Sequence, residues 1–169
     1  MEYTLRLRPY KREDGTYLLN WLTDRRMLGM WCRDHFAFPL SADQLDRYYR
    51  DLEKDSRSFG FTALNEKGIP VGSFRMSRVD YEKKSVHLGF IVIDQSLRGQ
   101  GLGGQMVSLA VGYAKDFLGM ERITLNVFDC NPGAKRCYEK VGFHEEQFKK
   151  EDFAFEEEKW GIYLMVYDK

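Results

Sequence analysis

Arg98-Gly99-Gln100-Gly101-Leu102-Gly103-Gly104 joins two segments of opposite character. Ahead of it, Val86 to Ile93 is a nearly continuous apolar run, as in a strand buried on both faces. Behind it, Leu102, Met106, Leu109, Ala110, Tyr113 and Phe117 recur at the three- and four-residue spacing of one helix face. Gly119 suits the C-terminal cap of that helix. Glycines at such a junction let backbone N–H groups approach a ligand closely. The helix start adds unpaired donors and a partial positive charge. The combination suits a pyrophosphate, with Arg98 as a charge-assisted partner. A plain strand-to-helix turn would need fewer glycines than the four between Gly99 and Gly104.

The same glycines admit a competing reading. Gly99, Gly101 and Gly104 match G-x-G-x-x-G, and Asp129 follows at a distance suited to a ribose carboxylate. That pattern would make the protein a nicotinamide-dependent oxidoreductase. Three features oppose it. Asp94 to Leu97 separate the strand from the glycines, where the dinucleotide fingerprint needs a tight turn. Too few βα units follow to build a doubly wound sheet, and the chain finishes in a hairpin. A Walker-type loop is excluded, because no Gly-Lys-Ser/Thr follows.

Outward from this junction the elements alternate. Leu5 and Leu7 form a short strand stopped by Pro9, and Asp14 to Asp24 has helical spacing. Residues 25–40 read as irregular and aromatic. Ser41 and Gln44 form a capping-box pattern ahead of a helix to about Lys54. Phe59–Leu64 and Ile69–Val79 read as strands joined by an Asn65-Glu66-Lys67-Gly68 turn. Ile123, Leu125 and Val127 alternate as another strand. Asn131-Pro132 opens a short helix that Gly142 ends. Phe143–Lys150 and Trp160–Val166 read as the final strands, with Glu151–Lys159 as their loop. The order predicts one α/β (mixed α+β) domain over residues 1–169, with helices on both faces of a mixed sheet.

The composition narrows the partners. Lys plus Arg equals Asp plus Glu at 26 each, so no broad basic field holds nucleic acid or an anionic membrane. Charges interrupt every apolar run, and the N-terminus lacks a signal-peptide core. Cys32, Cys130 and Cys137 are too few for a disulfide framework. The expectation is a soluble cytoplasmic protein. His35, His87 and His144 show no metal-ligand spacing, so no metal is expected.

Two further motifs follow the glycine loop in order: Asn131-Pro132-Gly133-Ala134 and Tyr138-Glu139-Lys140-Val141-Gly142-Phe143. With Arg98-Gly99-Gln100-Gly101-Leu102-Gly103 they resemble the Gln/Arg-x-x-Gly-x-Gly/Ala, Asn-x-x-Ala and Tyr-x-x-x-Gly-Phe elements of the GNAT superfamily of acetyl-CoA-dependent N-acetyltransferases. The look is closest to its ribosomal-protein-alanine and polyamine branch. The resemblance implies a mostly antiparallel sheet of about seven strands with a splayed central parallel pair. It implies that acetyl-CoA lies in the splay. Its pantetheine arm would pair with the backbone of Ile91, Val92 and Ile93 like an added strand, and a backbone N–H there would polarise the thioester carbonyl. Its pyrophosphate would sit on Arg98, Gly99, Gln100, Gly101, Leu102, Gly103 and Gly104, and Asn131 would hold the pantetheine amides. Tyr138 stands where the family places its general acid.

His87 matches the position of a base-forming Glu in several relatives. An ordinary His would accept a proton near neutrality; water chains or another carboxylate are alternatives. Cys137, beside Tyr138, is expected to pack rather than to react. The acceptor, a small primary amine or a protein N-terminus, would contact residues 25–40 and the acidic 151–159 loop. Those acids either attract a cationic amine or form a solvated turn; Trp31, Phe36 and Phe38 either wall the site or fill the core. Relatives are often homodimers. A non-catalytic acyl-CoA-binding module on the same fold is the remaining alternative.

Overall fold

The computed structural model describes residues 3–167. Seven strands form one sheet: β1 (Arg6–Pro9), β2 (Phe59–Leu64), β3 (Pro70–Asp80), β4 (Ser85–Ile93), β5 (Arg122–Phe128), β6 (Phe143–Phe155) and β7 (Glu158–Tyr167). Their spatial order is β1-β2-β3-β4-β5-β7-β6. All neighbours pair antiparallel except β4 and β5. Five helices cover it: α1 (Gly15–Trp21), α2 (Arg25–Cys32), α3 (Ala42–Lys54), α4 (Leu102–Asp116) and α5 (Pro132–Val141).

Local chemistry places these elements. The Asn65 side-chain oxygen accepts from the backbone N–H groups of Lys67 and Ile69, and Gly68 takes φ +77°, closing the β2–β3 hairpin. Ser41 caps α3 by accepting from the Gln44 amide at 3.3 Å. The Gln44 side chain does not complete a capping box. It clamps the preceding loop instead, bonding both the N–H and the carbonyl of Ala37. Near the N-terminus, buried Asp14 ties three elements together. It accepts two bonds from Arg8, one from the Lys11 amide and one from Thr62 at 2.6 Å. Burial pushes its carboxyl upward, but these donors outweigh burial and hold it below the usual range.

Two apolar layers flank the sheet. On one side Met106, Val107, Ala110 and Ala114 of α4 pack against Leu88, Ile123, Leu125 and Met165. On the other, Leu18, Trp31, Leu45 and Tyr48 of α1–α3 form a second core that reaches Val92. Phe117 lies outside the predicted apolar face. It is 78% exposed and stacks on Tyr113, because the buried stripe of α4 runs through the smaller Val107, Val111 and Ala114.

Two predicted irregular stretches are ordered. Residues 25–32 form α2, capped by Asp24, whose carboxylate accepts from the Met27 amide. Its charged and aromatic residues masked the helical spacing. The predicted 151–159 loop is mostly strand: Phe153 pairs with Trp160 and Phe155 with Glu158, leaving a two-residue turn. A register shift between Lys149 and Phe153, with Glu151 at φ +52°, breaks the alternation that would have revealed it.

β4 carries the feature that shapes the centre. Against β3, Ser73 pairs with Val92 but Arg75 pairs with Gly89, so β4 holds one extra residue. Phe90 absorbs it at φ +50°. A bulge of one residue exchanges the faces of everything beyond it. Before it, Val86 and Leu88 join the α4 core. After it, Ile91 and Ile93 pack on that core while Phe90 and Val92 join the α1–α3 core.

Gly72 on β3 lies where α4 and β4 press closest. A Cβ there would meet Ile93 Cδ1 at 2.6 Å, Met106 Sδ at 2.9 Å and the Val92 carbonyl at 2.9 Å. Gly72→Ala should therefore overpack the site by about 1–3 kcal/mol and lower Tm by roughly 3–10 °C. A calorimetric Tm equal to that of the parent would refute this packing.

Candidate active site

The parallel pair holds together for only four residues: Ser85 opposite Arg122, Val86 opposite Ile123, His87 opposite Thr124 and Leu88 opposite Leu125. Beyond Leu88, β4 keeps pairing with β3 as far as Ile93, and β5 keeps pairing with β7 as far as Phe128. The two strands therefore part, and each leaves one unpaired edge facing the other. Between them opens a cleft of about 480 Å³. Gly89, Phe90, Ile91, Val92 and Ile93 form one wall; Asn126, Val127 and Phe128 face them. Unpaired main chain in a cleft is a template for an extended, amide-bearing ligand.

The cleft leads toward the glycine loop. Gly99 and Gly101 adopt φ +81° and +74°, and a Cβ on either would meet nothing within 4 Å. Gly101 caps α4 with backbone alone; no side chain caps the helix and no acid stands in its first turn. An uncapped fifteen-residue helix presents N–H donors and positive dipole to open space, which is the requirement for a diphosphate. Arg98 stands at the rim and lines the cleft. Gly103 and Gly104 serve packing as well: a Cβ there would touch Cys137 Sγ at 3.7 and 3.8 Å. Cys137 fills that helix contact, and burial pushes its thiol up, away from the reactive thiolate.

Of the other predicted residues, His87, Asn131 and Tyr138 line the same cleft. Asn131 caps α5, its side-chain oxygen accepting from the Ala134 amide at 3.3 Å. Its NH₂ group is what is left for a ligand. Tyr138 is buried, and that burial pushes its hydroxyl well above the ordinary value, so it keeps its proton. His87 is held by Thr124, whose hydroxyl lies 2.8 Å from Nδ1. Burial, with the charge of Arg78, pushes the ring down to about 4. It is neutral at pH 7 and a far weaker proton acceptor than an ordinary histidine.

Two contributions had no sequence signal: the hold of Trp31 on the bulge, and the place of Arg78. Trp31 donates its indole N–H to the Phe90 carbonyl at 2.9 Å and packs edge-on against the Phe90 ring, so it holds the bulge. Trp31 also stacks with Phe36; both are buried core residues, and Trp31 also lines the cleft. Arg78 lines the cleft from β3. Only long-range pairing could have announced either. Among the described residues no group of three or more His, Cys, Asp or Glu stands together as a metal site.

Residues 4–144 match the family described as Acetyltransferase (GNAT) domain. The chain belongs to the GNAT acetyltransferase family. It is thus an acetyl-CoA-dependent N-acetyltransferase, and the dinucleotide reading of its glycines falls. The structure agrees: a 3₁₀ turn at Gln95–Leu97 intervenes before the glycines, and the sheet has a single parallel pair. The enzyme is 25% identical to the spermidine N(1)-acetyltransferase of Vibrio cholerae over 153 residues, covering 90% of this chain and 86% of that one. It is 32% identical to the probable N-acetyltransferase YjcK of Bacillus subtilis over 116 residues, 67% of this chain and 62% of that one. In fold it superposes on the Vibrio cholerae spermidine N-acetyltransferase in complex with CoA and spermine with a TM-score of 0.84, at 24% identity and 96% and 94% coverage.

The open space at Gly101 yields a direct test. Gly101→Glu should abolish CoA binding, measured by calorimetry, because a carboxylate would occupy the anion site. Gly101→Ala should weaken it less, isolating charge from backbone strain. Unchanged affinity in Gly101→Glu would remove the loop from the site.

His87 yields a second. An unfolded histidine protonates near pH 6.5, whereas His87 in the fold resists until about 4. Its contribution to stability is intact above pH 6.5 and is lost as pH falls from 6.5 toward 4. The displacement corresponds to at most about 3 kcal/mol. Urea unfolding at pH 7.5 and 4.5 should show a smaller acid loss in His87→Gln than in the parent. An identical loss would mean that the ring is not held neutral.

Proposed function

We propose that the enzyme binds acetyl-CoA along the parted edges of β4 and β5 and acetylates a primary amine presented from the opposite end of the cleft. The uncapped start of α4 supports the diphosphate position. The unpaired edge from Gly89 to Ile93 supports the pantetheine position, with the Asn131 NH₂ group as a further donor. Acetyl-CoA supplies an acyl thioester, whose C–S bond is exchanged for a C–N bond.

The chain's own part is to manage protons. A free alkylamine has pKa ~10.4 and is mostly protonated at pH 7, without a lone pair to attack. Neutral His87 cannot strip it efficiently at pKa about 4; through Thr124 it instead offers a fixed hydrogen-bonding ring at the junction of the strands. Deprotonation is then assisted by the site's positive charge, which disfavours a bound ammonium. Tyr138 gives its proton to the departing thiolate, a role supported by its staying protonated throughout the neutral range.

The single observation behind this reading is the parting of β4 from β5 after Leu88, aimed at a helix start with no side-chain cap. The reading extends to the cytoplasm, supported by three free thiols. It extends also to a homodimer, supported by the outer strand β6, where residues 144–151 are exposed.

Tyr138→Phe should lower kcat by about 10²-fold or more while acetyl-CoA affinity stays within roughly twofold. The check is thiol release on an amine panel beside calorimetry. Equal turnover would dismiss the proton-donor role, and tight CoA binding without turnover of any amine by the parent would favour a non-catalytic acyl-CoA module.

A further inference from the structure

A second cavity of about 390 Å³ adjoins the first. The two share Arg33, Arg78, His87, Asn126 and Ile162, so they meet at the closed end of the strand notch, where β4 and β5 still pair. It opens on the sheet face that carries His87 and Thr124, opposite the α4 core. Position makes it the entrance for the acceptor. Its chemistry is one-sided. Arg33, Arg78, Arg122 and Lys149 line it against a single carboxylate, Asp152. The adjoining cleft adds Arg98 and has no Asp or Glu on its walls.

Pairing sharpens the contrast. Arg33 is committed to Asp152, at 3.0 Å to the carboxylate and 3.1 Å to the backbone carbonyl. Arg122 is committed to Glu146 at 2.9 Å. Arg78 and Lys149 have no ion pair among the described residues. Arg78 sits at φ +54° within a register shift of β3 between Ser77 and Asp80, a backbone kink of the kind that re-aims a side chain. Three acids of the β6–β7 hairpin are already engaged by arginines. Glu156 and Glu158 pair with Arg25 and Arg26 of α2, as Asp152 does with Arg33. A polyamine entering here would meet unpaired cations and no unpaired carboxylate on the walls.

We propose that the acceptor is a small amine that also carries an anionic group, a carboxylate or a phosphate, and that Arg78 and Lys149 bind that group in this second cavity. The proposal rests on the acetyltransferase reading and names its substrate class. It also accounts for how an amine is used where the one wall carboxylate, Asp152, is held by Arg33. The anionic group offsets the repulsion that would otherwise exclude the substrate. The same positive field disfavours the protonated form of the substrate's amine, so its nitrogen loses a proton to water and attacks as the free base.

The test is acceptor kinetics on the whole protein at saturating acetyl-CoA, read by thiol release. The matched pairs are β-alanine against β-alaninamide and phosphoethanolamine against ethanolamine, with spermidine as the polycation. The anionic member of at least one pair should exceed its neutral partner in kcat/KM by roughly tenfold or more, as charge-assisted hydrogen bonds allow; which pair does so distinguishes carboxylate from phosphate. Spermidine should be poorest. Lys149→Glu and Arg78→Glu should each invert the order, lowering the anionic acceptor and raising spermidine. Lys149→Gln, a milder change on an exposed strand, should raise KM for the anionic acceptor more than it lowers kcat. A preference for spermidine by the parent, or equal losses on all acceptors in every variant that still binds CoA, would overturn the proposal and leave the acetyltransferase assignment standing. Failure of the parent to acetylate any amine would overturn both.

Discussion

One hydrogen bond, from the indole of Trp31 to the carbonyl of Phe90, underlies the geometry of this enzyme. A bulky residue at positive φ costs about 1–3 kcal/mol and persists only where its surroundings enforce it. Here α2 supplies the donor, and the rings of Trp31, His35 and Tyr48 enclose the Phe90 side chain. The result is a strand that changes faces half-way along. Its first half is an ordinary member of the sheet. Its second half packs Ile91 and Ile93 where Val86 and Leu88 would have set the pattern, and it no longer follows β5. The cleft exists because β4 cannot keep both the bulge and its partner.

Charge is distributed with similar economy. The sequence carries equal numbers of acidic and basic residues, yet they are not evenly mixed. Hairpin acids pair with the arginines of α2, and Arg26 and Arg33 lie over the rings of Trp160 and Phe153 as well. The helix that holds the bulge is thereby fastened to the opposite edge of the sheet. Exposed pairs of this kind contribute little individually; their effect is to neutralise Asp152, Glu156 and Glu158. At His87 burial lowers the pKa and the charge of Arg78 adds to it, with no carboxylate acting in the other direction.

Much of this was legible in the sequence, for identifiable reasons. The glycine loop, the Asn131 cap and the Tyr138 to Phe143 segment are local, and local motifs survive without knowledge of the fold. The succession of elements along the chain, α2 apart, followed from periodicity and turns. The bulge was not legible, because β4 is apolar on both faces and a change of parity leaves no trace in a run such as Gly89-Phe90-Ile91-Val92-Ile93. The outer ends of β6 and β7 were hidden by acids that look like a loop until their arginine partners, more than a hundred residues earlier, are placed beside them. The burial of His87 altered the expectation of an ordinary basic histidine.

The glycine loop has a consequence of a different kind. Gly101 caps α4 with main chain alone, and main-chain amides are the same in every protein. Such an arrangement suits linked phosphates and carries little information about the molecule attached to them. It is therefore indiscriminate between a dinucleotide and a thioester carrier, which is why its spelling fits both fingerprints. Discrimination must come from elsewhere, and the cleft between the parted strands, with its unpaired main-chain edges, is the adjoining feature able to supply it. The helix start and the parted strands are separate parts of the fold, so a substitution can alter one while leaving the other intact.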